Sequence, residues 1–184
     1  LFRNEKGVLG RSRPAGGAQA FRQILDAAPF SGTAEALRYI KVAIDLHPTG
    51  AKTIGLISAL PGEGKTTVAT SFAAFVAKSG ARTLLIDADL RNPSMTRTLG
   101  YSNAPGLLNV VAERTDYKEL VISDSKLMFD FLPASTRFRT SNRSDILSSP
   151  IVKDALKSAS SEYDYGLVDL TLVSQKFVDK LDLR

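Results

Sequence analysis

A glycine-rich segment, set between an apolar stretch and a stretch that favours helix, narrows the possible folds more than any other part of the chain. Residues Ala59–Thr66 read A-L-P-G-E-G-K-T and match the phosphate-loop pattern G-x-x-x-x-G-K-[ST], with alanine at its first glycine. The glycines allow backbone dihedrals that turn successive N–H groups inward, and the helix start adds positive partial charge. The pattern predicts a phosphate-binding loop formed by Pro61, Gly62, Glu63, Gly64, Lys65, Thr66 and Thr67.

Short apolar strands alternate with helices on both sides of this loop. The predicted strands are Thr53–Ser58, Arg82–Ile86, Leu127–Leu132 and Tyr165–Val168. The predicted helices are Lys65–Ser79, Leu107–Glu113, Ser144–Leu147 and Ile151–Ser160, with an earlier one from about Ala34 to Leu46 that Thr33 caps. This alternation predicts the α/β class, a P-loop NTPase-like domain with a mostly parallel β-sheet and helices on both faces. The alternative is a glycine-rich turn with a lysine by chance, which the flanking strand and helix disfavour.

Aspartates follow two of the predicted strands. Asp87 and Asp89 come after the second strand, with Arg91 two residues further on, and Asp169 follows the last strand. Ligands of parallel sheets bind at the carboxyl ends of the strands. Carboxylates there suit Mg²⁺, directly or through water, and one of them can orient an attacking hydroxyl. A solvated turn is the alternative for the Asp87–Asp89 pair.

Composition removes several kinds of chemistry. The chain has 184 residues and no cysteine, so disulfides, cysteine-based zinc sites and thiol catalysis are excluded. The net charge is +5, but no basic stripe interleaved with aromatic residues is visible, so we expect no nucleic-acid partner. No apolar run approaches the ~20 residues that span a bilayer. We expect a soluble fragment of a longer protein, because Leu1 is not Met.

The three motifs together resemble the bacterial tyrosine kinase family. That family joins a phosphate loop to a hydrophobic D-x-D-x-R motif and a later strand that ends in Asp; here they read A-L-P-G-E-G-K-T, L-L-I-D-A-D-L-R and Y-G-L-V-D. The resemblance covers roughly residues 30–170 and includes Gly106-Leu-Leu and Asn142–Pro150. It implies an ATP- and Mg²⁺-dependent protein tyrosine autokinase that regulates exopolysaccharide or capsule synthesis and export. It also implies catalytic roles for Lys65, Asp87, Asp89 and Arg91, and a metal site formed by Thr66, Asp87 and Asp169.

The resemblance extends to partners and location. The family's helix motif E-x-x-R-x-x-R corresponds to Glu35, Arg38 and Lys41, which implies an oligomer interface and possible ring assembly; a solvated helix face is the alternative. The implied partner is a membrane-embedded polysaccharide export or co-polymerase part, fused or separate. The implied location is the cytoplasmic face of the bacterial inner membrane. We expect a linker or juxtamembrane-like segment over residues 1–30 and a P-loop kinase domain over 31–184.

The sequence departs from the family pattern near its end. The chain has no tyrosine after Tyr165, Thr171 stands where the family usually has proline, and residues 177–182 only faintly resemble a later strand. We expect a truncated or discontinuous domain after about residue 170, and we name no adenine contacts. The alternative functions are a partition-type P-loop ATPase, which Leu60 in place of lysine disfavours, and a nucleotide-binding assembly module. A small-metabolite kinase is a further alternative.

Overall fold

The computed structural model describes residues 31–47, 52–60, 62–123, 127–135 and 146–170. The predicted linker over residues 1–30, Pro61 of the phosphate loop, the first part of the predicted helix Ser144–Leu147 and the tail after residue 170 lie outside these ranges. The division of the chain at about residue 30 therefore stays a prediction.

Helices and strands alternate along the described chain. The helices are α1 (Gly32–Asp45), α2 (Lys65–Lys78), α3 (Ser94–Thr98), α4 (Leu107–Ala112), α5 (Tyr117–Leu120) and α6 (Pro150–Glu162). The strands are β1 (Lys52–Leu56), β2 (Thr83–Asp87), β3 (Ile122–Ser123), β4 (Asp130–Leu132) and β5 (Tyr165–Asp169). The short helices α3 and α5 and the strand β3 were not predicted, because elements of two to five residues are too short to show a hydrophobic period.

The five strands form one sheet in the order β1-β5-β2-β4-β3. The pairs β1–β5, β5–β2 and β2–β4 are parallel, and only β3 runs antiparallel, against β4. The third predicted strand is shorter than expected, since pairing begins at Asp130 rather than Leu127. Strand β5, the last strand of the described chain, lies between β1 and β2, so the two segments that leave β1 and β2 flank its carboxyl end.

Helices cover both faces of the sheet. Successive strand residues point to opposite faces, and accordingly Leu84 and Ile86 pack in one core cluster with α4, α5 and α6, whereas Leu85 packs in the other with α1 and α2. All five residues of β2 and of β5 are buried, as expected of central parallel strands. The predicted fold class, a P-loop NTPase-like α/β domain, is confirmed.

Helix α1 begins and packs slightly differently from its prediction. Ser31, and not Thr33, caps it, because the Ser31 hydroxyl accepts from the Ala34 N–H at 3.2 Å. Helical spacing in the sequence places Leu37 and Ile40 on one face, but Leu37 is buried whereas Ile40 is 40% exposed. The helix therefore contacts the core along a narrower stripe than its sequence suggested.

Gly106 permits a close approach that fixes the start of α4. A Cβ at this position would lie 1.9 Å from the Pro133 carbonyl oxygen. The Leu107 N–H donates to that same oxygen at 2.7 Å. Any side chain at position 106 would separate α4 from the segment that follows β4, which gives a physical reason for glycine in the Gly106-Leu-Leu stretch.

Candidate functional site

Three strands end side by side at one edge of the sheet. The register places Asp169 of β5 opposite Leu56 of β1 and opposite Asp87 of β2. Because these strands are parallel, their carboxyl ends meet there, and the glycine-rich loop leaves β1 at the same edge. The structure thus brings Asp87 and Asp169 together beside the loop.

The loop between β1 and α2 has the backbone conformation that its glycines allow. Gly62 has a φ of +83° and Gly64 a φ of +87°, in the left-handed region where a side chain is strained. Gly64 is also the N-cap of α2, and no side chain of the described residues caps that helix. The first N–H groups of α2 are therefore available to an anion, and the helix dipole favours negative charge at this position.

Glu63 turns its carboxylate back onto the loop. Its Oε2 accepts from the N–H groups of Ala59 at 2.9 Å and Leu60 at 3.1 Å. These bonds hold the first half of the loop, where alanine replaces the usual glycine. Because the Glu63 side chain is engaged with the loop backbone, contact between this residue and phosphate would come from its own N–H.

Lys65, Thr66 and Asp169 form one hydrogen-bonded group at the start of α2. The Lys65 ammonium pairs with Asp169, and Thr66 Oγ1 donates to Asp169 Oδ2 at 3.1 Å. Burial raises the pKa of Asp169, while the bonds from Lys65 and Thr66 act in the opposite direction. Thr66 Oγ1 also lies 3.1 Å from Ser94 Oγ, which connects α3 to the group.

Asp87 is fully buried and holds the neighbouring backbone in place. Its Oδ2 accepts from the N–H and the hydroxyl of Thr96 at 2.8 and 2.7 Å, and its Oδ1 accepts from the Asp89 N–H at 3.1 Å. Burial raises the pKa of Asp87 to about 7, and the bonds from Thr96 oppose that rise. Thr96 Oγ1 in turn accepts from the Ala134 N–H at 3.0 Å. Asp87 therefore ties β2 to α3 and to the segment after β4, and uses three of its roughly four acceptor positions.

A cleft of about 540 Å³ lies in front of this group. Its walls are the phosphate loop, the first turn of α2 and the segment after β2: Ser58, Gly62, Glu63, Gly64, Lys65, Thr66, Thr67, Asp89, Arg91, Asn92 and Ser94. Asp89 is half-buried and Arg91 is exposed, and Asp89 Oδ1 accepts from the Asn92 N–H at 3.0 Å. The cleft joins the loop to the D-x-D-x-R motif, with Asp87 and Asp169 buried behind its wall.

Besides Ser58, which ends the predicted strand before the loop, three residues of the site were not found from the sequence. Asn92 and Ser94 line the cleft and Thr96 bonds to Asp87. The only local signal is Asn92-Pro93-Ser94, which is typical of a turn before a helix. Their place in the site depends on α3 folding back across the end of β2, which no local pattern predicts.

The oxygen ligands suited to Mg²⁺ are few. Within the described ranges, no three His, Cys, Asp or Glu side chains cluster closely enough to hold a metal ion. Thr66 Oγ1 and Asp169 Oδ2 are hard oxygens 3.1 Å apart beside the phosphate loop. Mg²⁺ commonly takes one or two such ligands and completes its shell with water and substrate phosphates. This donor set fits Mg²⁺ that arrives with a phosphate ligand.

The predicted interface residues lie away from the cleft. Glu35 and Arg38 are exposed on α1, and neither lines the cleft. Lys41 differs, because its ammonium bonds to Asp45 Oδ2 at 2.5 Å and lies 5.9 Å from the centre of the Tyr165 ring. Lys41 thus makes contacts within its own chain, whereas Glu35 and Arg38 face solvent.

Comparison with known proteins identifies the family. A family model described as an AAA domain matches residues 51–174, which is more than half of the chain. The chain belongs to this AAA domain family. The matched range runs from just before β1 to beyond β5. It therefore includes the phosphate loop, the D-x-D-x-R motif and Asp169.

The chain is also similar to individual proteins with more specific names. The succinoglycan biosynthesis transport protein ExoP of Rhizobium meliloti is 34% identical over 85% of this chain and 20% of its own length. The tyrosine-protein kinase YwqD of Bacillus subtilis is 31% identical over 77% of this chain and 60% of its own length. The solved kinase domain of the Escherichia coli tyrosine kinase ETK superposes with a TM-score of 0.76 at 25% identity, over 86% of this chain and 62% of that one. The predicted resemblance to bacterial tyrosine kinases is confirmed.

The AAA domain chain spans less than two thirds of the length of ExoP, YwqD and the solved ETK domain. Among the helices that the structure describes, none is long and apolar enough to cross a membrane.

Proposed function

We propose that this domain transfers the γ-phosphoryl group of ATP to tyrosine hydroxyls of proteins, and that this activity regulates exopolysaccharide or capsule synthesis and export. One observation carries the proposal. Lys65 and Thr66 line the same cleft as Asp89 and Arg91. Both Lys65 and Thr66 also bond to Asp169, which is buried behind the cleft wall. Phosphate loops serve many nucleotide hydrolases. The similarity to YwqD and ETK, both named tyrosine kinases, supports tyrosine as the acceptor.

Lys65 changes partner when nucleotide binds. In the described structure its ammonium neutralises buried Asp169. With ATP and Mg²⁺ bound, Lys65 would contact the outer phosphates and Asp169 would help to hold the cation. Asp169 then has a positive partner in both states, so its burial is tolerated throughout. The N–H groups at the start of α2, which no described side chain caps, would donate to the remaining phosphate oxygens.

Thr66 and Asp169 are the protein's direct Mg²⁺ ligands in this proposal. Bound Mg²⁺ supplies positive charge that neutralises the phosphates during transfer. Asp87 was predicted as a further ligand, but its oxygens already accept three protein hydrogen bonds. We propose that Asp87 acts through water and by fixing α3, which positions Ser94 against Thr66.

Asp89 and Arg91 act on the transferring group. Asp89 lines the cleft at the carboxyl end of β2, where its carboxylate can orient the incoming phenol and accept its proton. Arg91 lines the same cleft with a fixed positive charge that stabilises the phosphoryl oxygens as the bond to ADP breaks. Lys65 contributes the second cation.

The proposal includes partners and a location. The exposed residues Glu35 and Arg38 are available for contacts between copies, in a homo-oligomer for which a ring is one form. Lys41 supports α1 from within the chain. The membrane-embedded export part, fused or separate, holds the domain at the cytoplasmic face of the inner membrane. The similarity to ExoP, which is named a biosynthesis transport protein, supports this placement.

The test separates transfer from binding with Asp89→Asn. The protein is incubated with ATP, Mg²⁺ and a glutamate–tyrosine copolymer, and phosphotyrosine and ADP are both quantified. We expect phosphotyrosine on the copolymer, and an approximately hundredfold slower transfer in Asp89→Asn with nucleotide affinity changed less than about threefold. The matched control is Asp164→Asn, an exposed carboxylate at the opposite edge of the sheet, which should leave both unchanged. ADP release without phosphotyrosine would contradict a kinase and favour an ATPase; neither product would favour a nucleotide-binding module.

A further inference from the structure

Tyr39 differs from every other tyrosine of the chain in its accessibility. The chain contains five tyrosines, and all five lie in the described ranges. Tyr39 projects from α1 and is 74% exposed. The remaining four are buried or half-buried: Tyr101, Tyr117, Tyr163 and Tyr165. A phenolic oxygen must be open to solvent before a protein kinase can reach it, so exposure alone separates Tyr39 from the others.

The four less exposed tyrosines are also held by contacts. Tyr165 donates to Asp45, and Tyr163 donates to Asp130 Oδ2 at 2.7 Å. Tyr117 lies in the core cluster that packs against α4 and α6. The Tyr101 ring packs against Phe131 with 5.8 Å between ring centres. Adding a phosphate to any of these would disrupt packing, whereas the structure records no hydrogen bond to the Tyr39 hydroxyl among the described residues.

Tyr39 lies outside the cleft of its own chain, on a helix that is docked against the core. It is not among the residues that line the cleft. Its helix is fixed by the buried side chains Ala34 and Leu37 and by the Asp45 contacts to Lys52 and Tyr165. An exposed side chain on a docked helix can, however, enter the cleft of a second copy with no internal rearrangement.

We propose that Tyr39 is the tyrosine of this chain that receives phosphate, and that a second copy delivers it. The inference rests on the proposed kinase function and names its acceptor. The Tyr39 phenolic oxygen forms a bond to the γ-phosphorus of ATP held in the other copy. The bond between that phosphorus and the β,γ-bridging oxygen breaks, ADP leaves, and the phenolic proton passes to Asp89 of the copy that holds ATP.

The experiment separates the copy that acts from the copy that receives. The unaltered protein serves as kinase, and a larger, affinity-tagged Lys65→Met copy serves as acceptor, with Mg²⁺ and labelled ATP. The acceptor is tested as such, with Tyr39→Phe added, and with Tyr101→Phe added as the matched control. Because Lys65→Met leaves Asp169 without its cation, a second acceptor series carries Asp89→Asn instead, and circular dichroism verifies that each acceptor is folded. A glutamate–tyrosine copolymer reports kinase competence in parallel.

We expect labelled phosphate on the acceptor, with Tyr39 identified as the site by tandem mass spectrometry. Incorporation should fall about tenfold or more with Tyr39→Phe and stay within about twofold with Tyr101→Phe. Undiminished label in the Tyr39→Phe acceptor, or a labelled copolymer beside an unlabelled acceptor, would overturn the assignment of Tyr39 and leave the kinase function standing. No label on either the acceptor or the copolymer would overturn both.

Discussion

Strand β5 has an aspartate–lysine cluster at each end, and the two clusters differ in burial. At its carboxyl end Asp169 pairs with Lys65, and their side chains are 0% and 11% exposed. At its beginning Tyr165 donates to Asp45, a residue of α1 whose side chain is 34% exposed. Asp45 pairs with two lysines that are also partly hydrated, Lys41 and Lys52.

The difference shows how burial raises the free-energy cost of separating an ion pair. Partly hydrated charges contribute little when paired and lose little when separated. The Asp45 cluster therefore serves mainly to fasten α1 to the sheet. The charge of buried Asp169 is offset by Lys65, so separating the two is costly unless another cation takes the place of Lys65. In the proposed function this cost would couple phosphate binding by Lys65 to cation binding by Asp169.

Removal of each lysine should give the largest contrast between the clusters. In Lys65→Met the loop loses its cation, so we expect the rise in melting temperature on adding ATP and Mg²⁺ to disappear and phosphoryl transfer to fall about 10³-fold. The unliganded protein should also lose about 1–3 kcal/mol, because Asp169 stays buried with Thr66 as its remaining described partner. Thermal melting with and without nucleotide measures both effects.

The matched control is Lys52→Met, which removes a lysine from the Asp45 cluster. Asp45 keeps Lys41 and Tyr165 as partners, so the nucleotide-dependent shift should remain within about 1 °C of the unaltered protein. A retained shift in Lys65→Met, or an equal loss in both variants, would show that the phosphate-loop assignment is wrong.

An effect of intermediate size, on the free energy of unfolding, is expected when the hydrogen bonds around buried Asp87 are weakened. Thr96→Val removes the hydroxyl that donates to Asp87 and accepts from Ala134. We expect a loss of about 1–3 kcal/mol in the free energy of unfolding, since buried polar groups lose a partner. Denaturant unfolding measures it, with Thr98→Val in the same helix as control. Equal stability of the two variants would contradict the structural role given to Asp87.

The smallest expected effect is the pH-dependent contribution of the Asp45 cluster to stability. Hydrogen bonds from Lys41, Lys52 and Tyr165 hold the pKa of Asp45 well below its usual range. A carboxyl whose pKa is lowered by folding stabilises the folded state above its unfolded pKa, about 4, and this contribution is lost as pH falls through the folded value. Asp45→Asn should cost about 1 kcal/mol or less at pH 7 after solvent screening.

Melting curves of Asp45→Asn and the unaltered protein test that sign. The two melting temperatures should differ at pH 7 and converge as the pH is lowered below about 4. Asp154→Asn, an exposed carboxylate on α6, is the control and should show no such convergence. A difference that grows on acidification would mean that Asp45 is not stabilised as a carboxylate.

Much of the fold could be predicted because its signals are local and strong. The span of α2 was predicted within one residue at its end, and β2 and β5 within one residue at either end, since a glycine-lysine helix start and buried apolar runs identify them. The strand β3 was missed, because two residues are too few to show a period. Helix α1 ends at Asp45, within one residue of its predicted end at Leu46.

The candidate site, like the fold, has features that local sequence predicts and features that depend on the tertiary structure. The sequence alone predicted which residues would bind phosphate and metal, because Gly62, Gly64 and Lys65 lie within four positions of the chain, and Asp87, Asp89 and Arg91 form one local motif. Only the tertiary structure decided how they are used. Chain folding placed β5 between β1 and β2, so that Lys65 meets Asp169, 104 residues away, and Thr96 occupies the oxygens of Asp87. Packing also buried Asp169 against Lys65 and left Tyr39 as the most exposed tyrosine, since solvent exposure depends on packing between distant segments and cannot be read from local sequence.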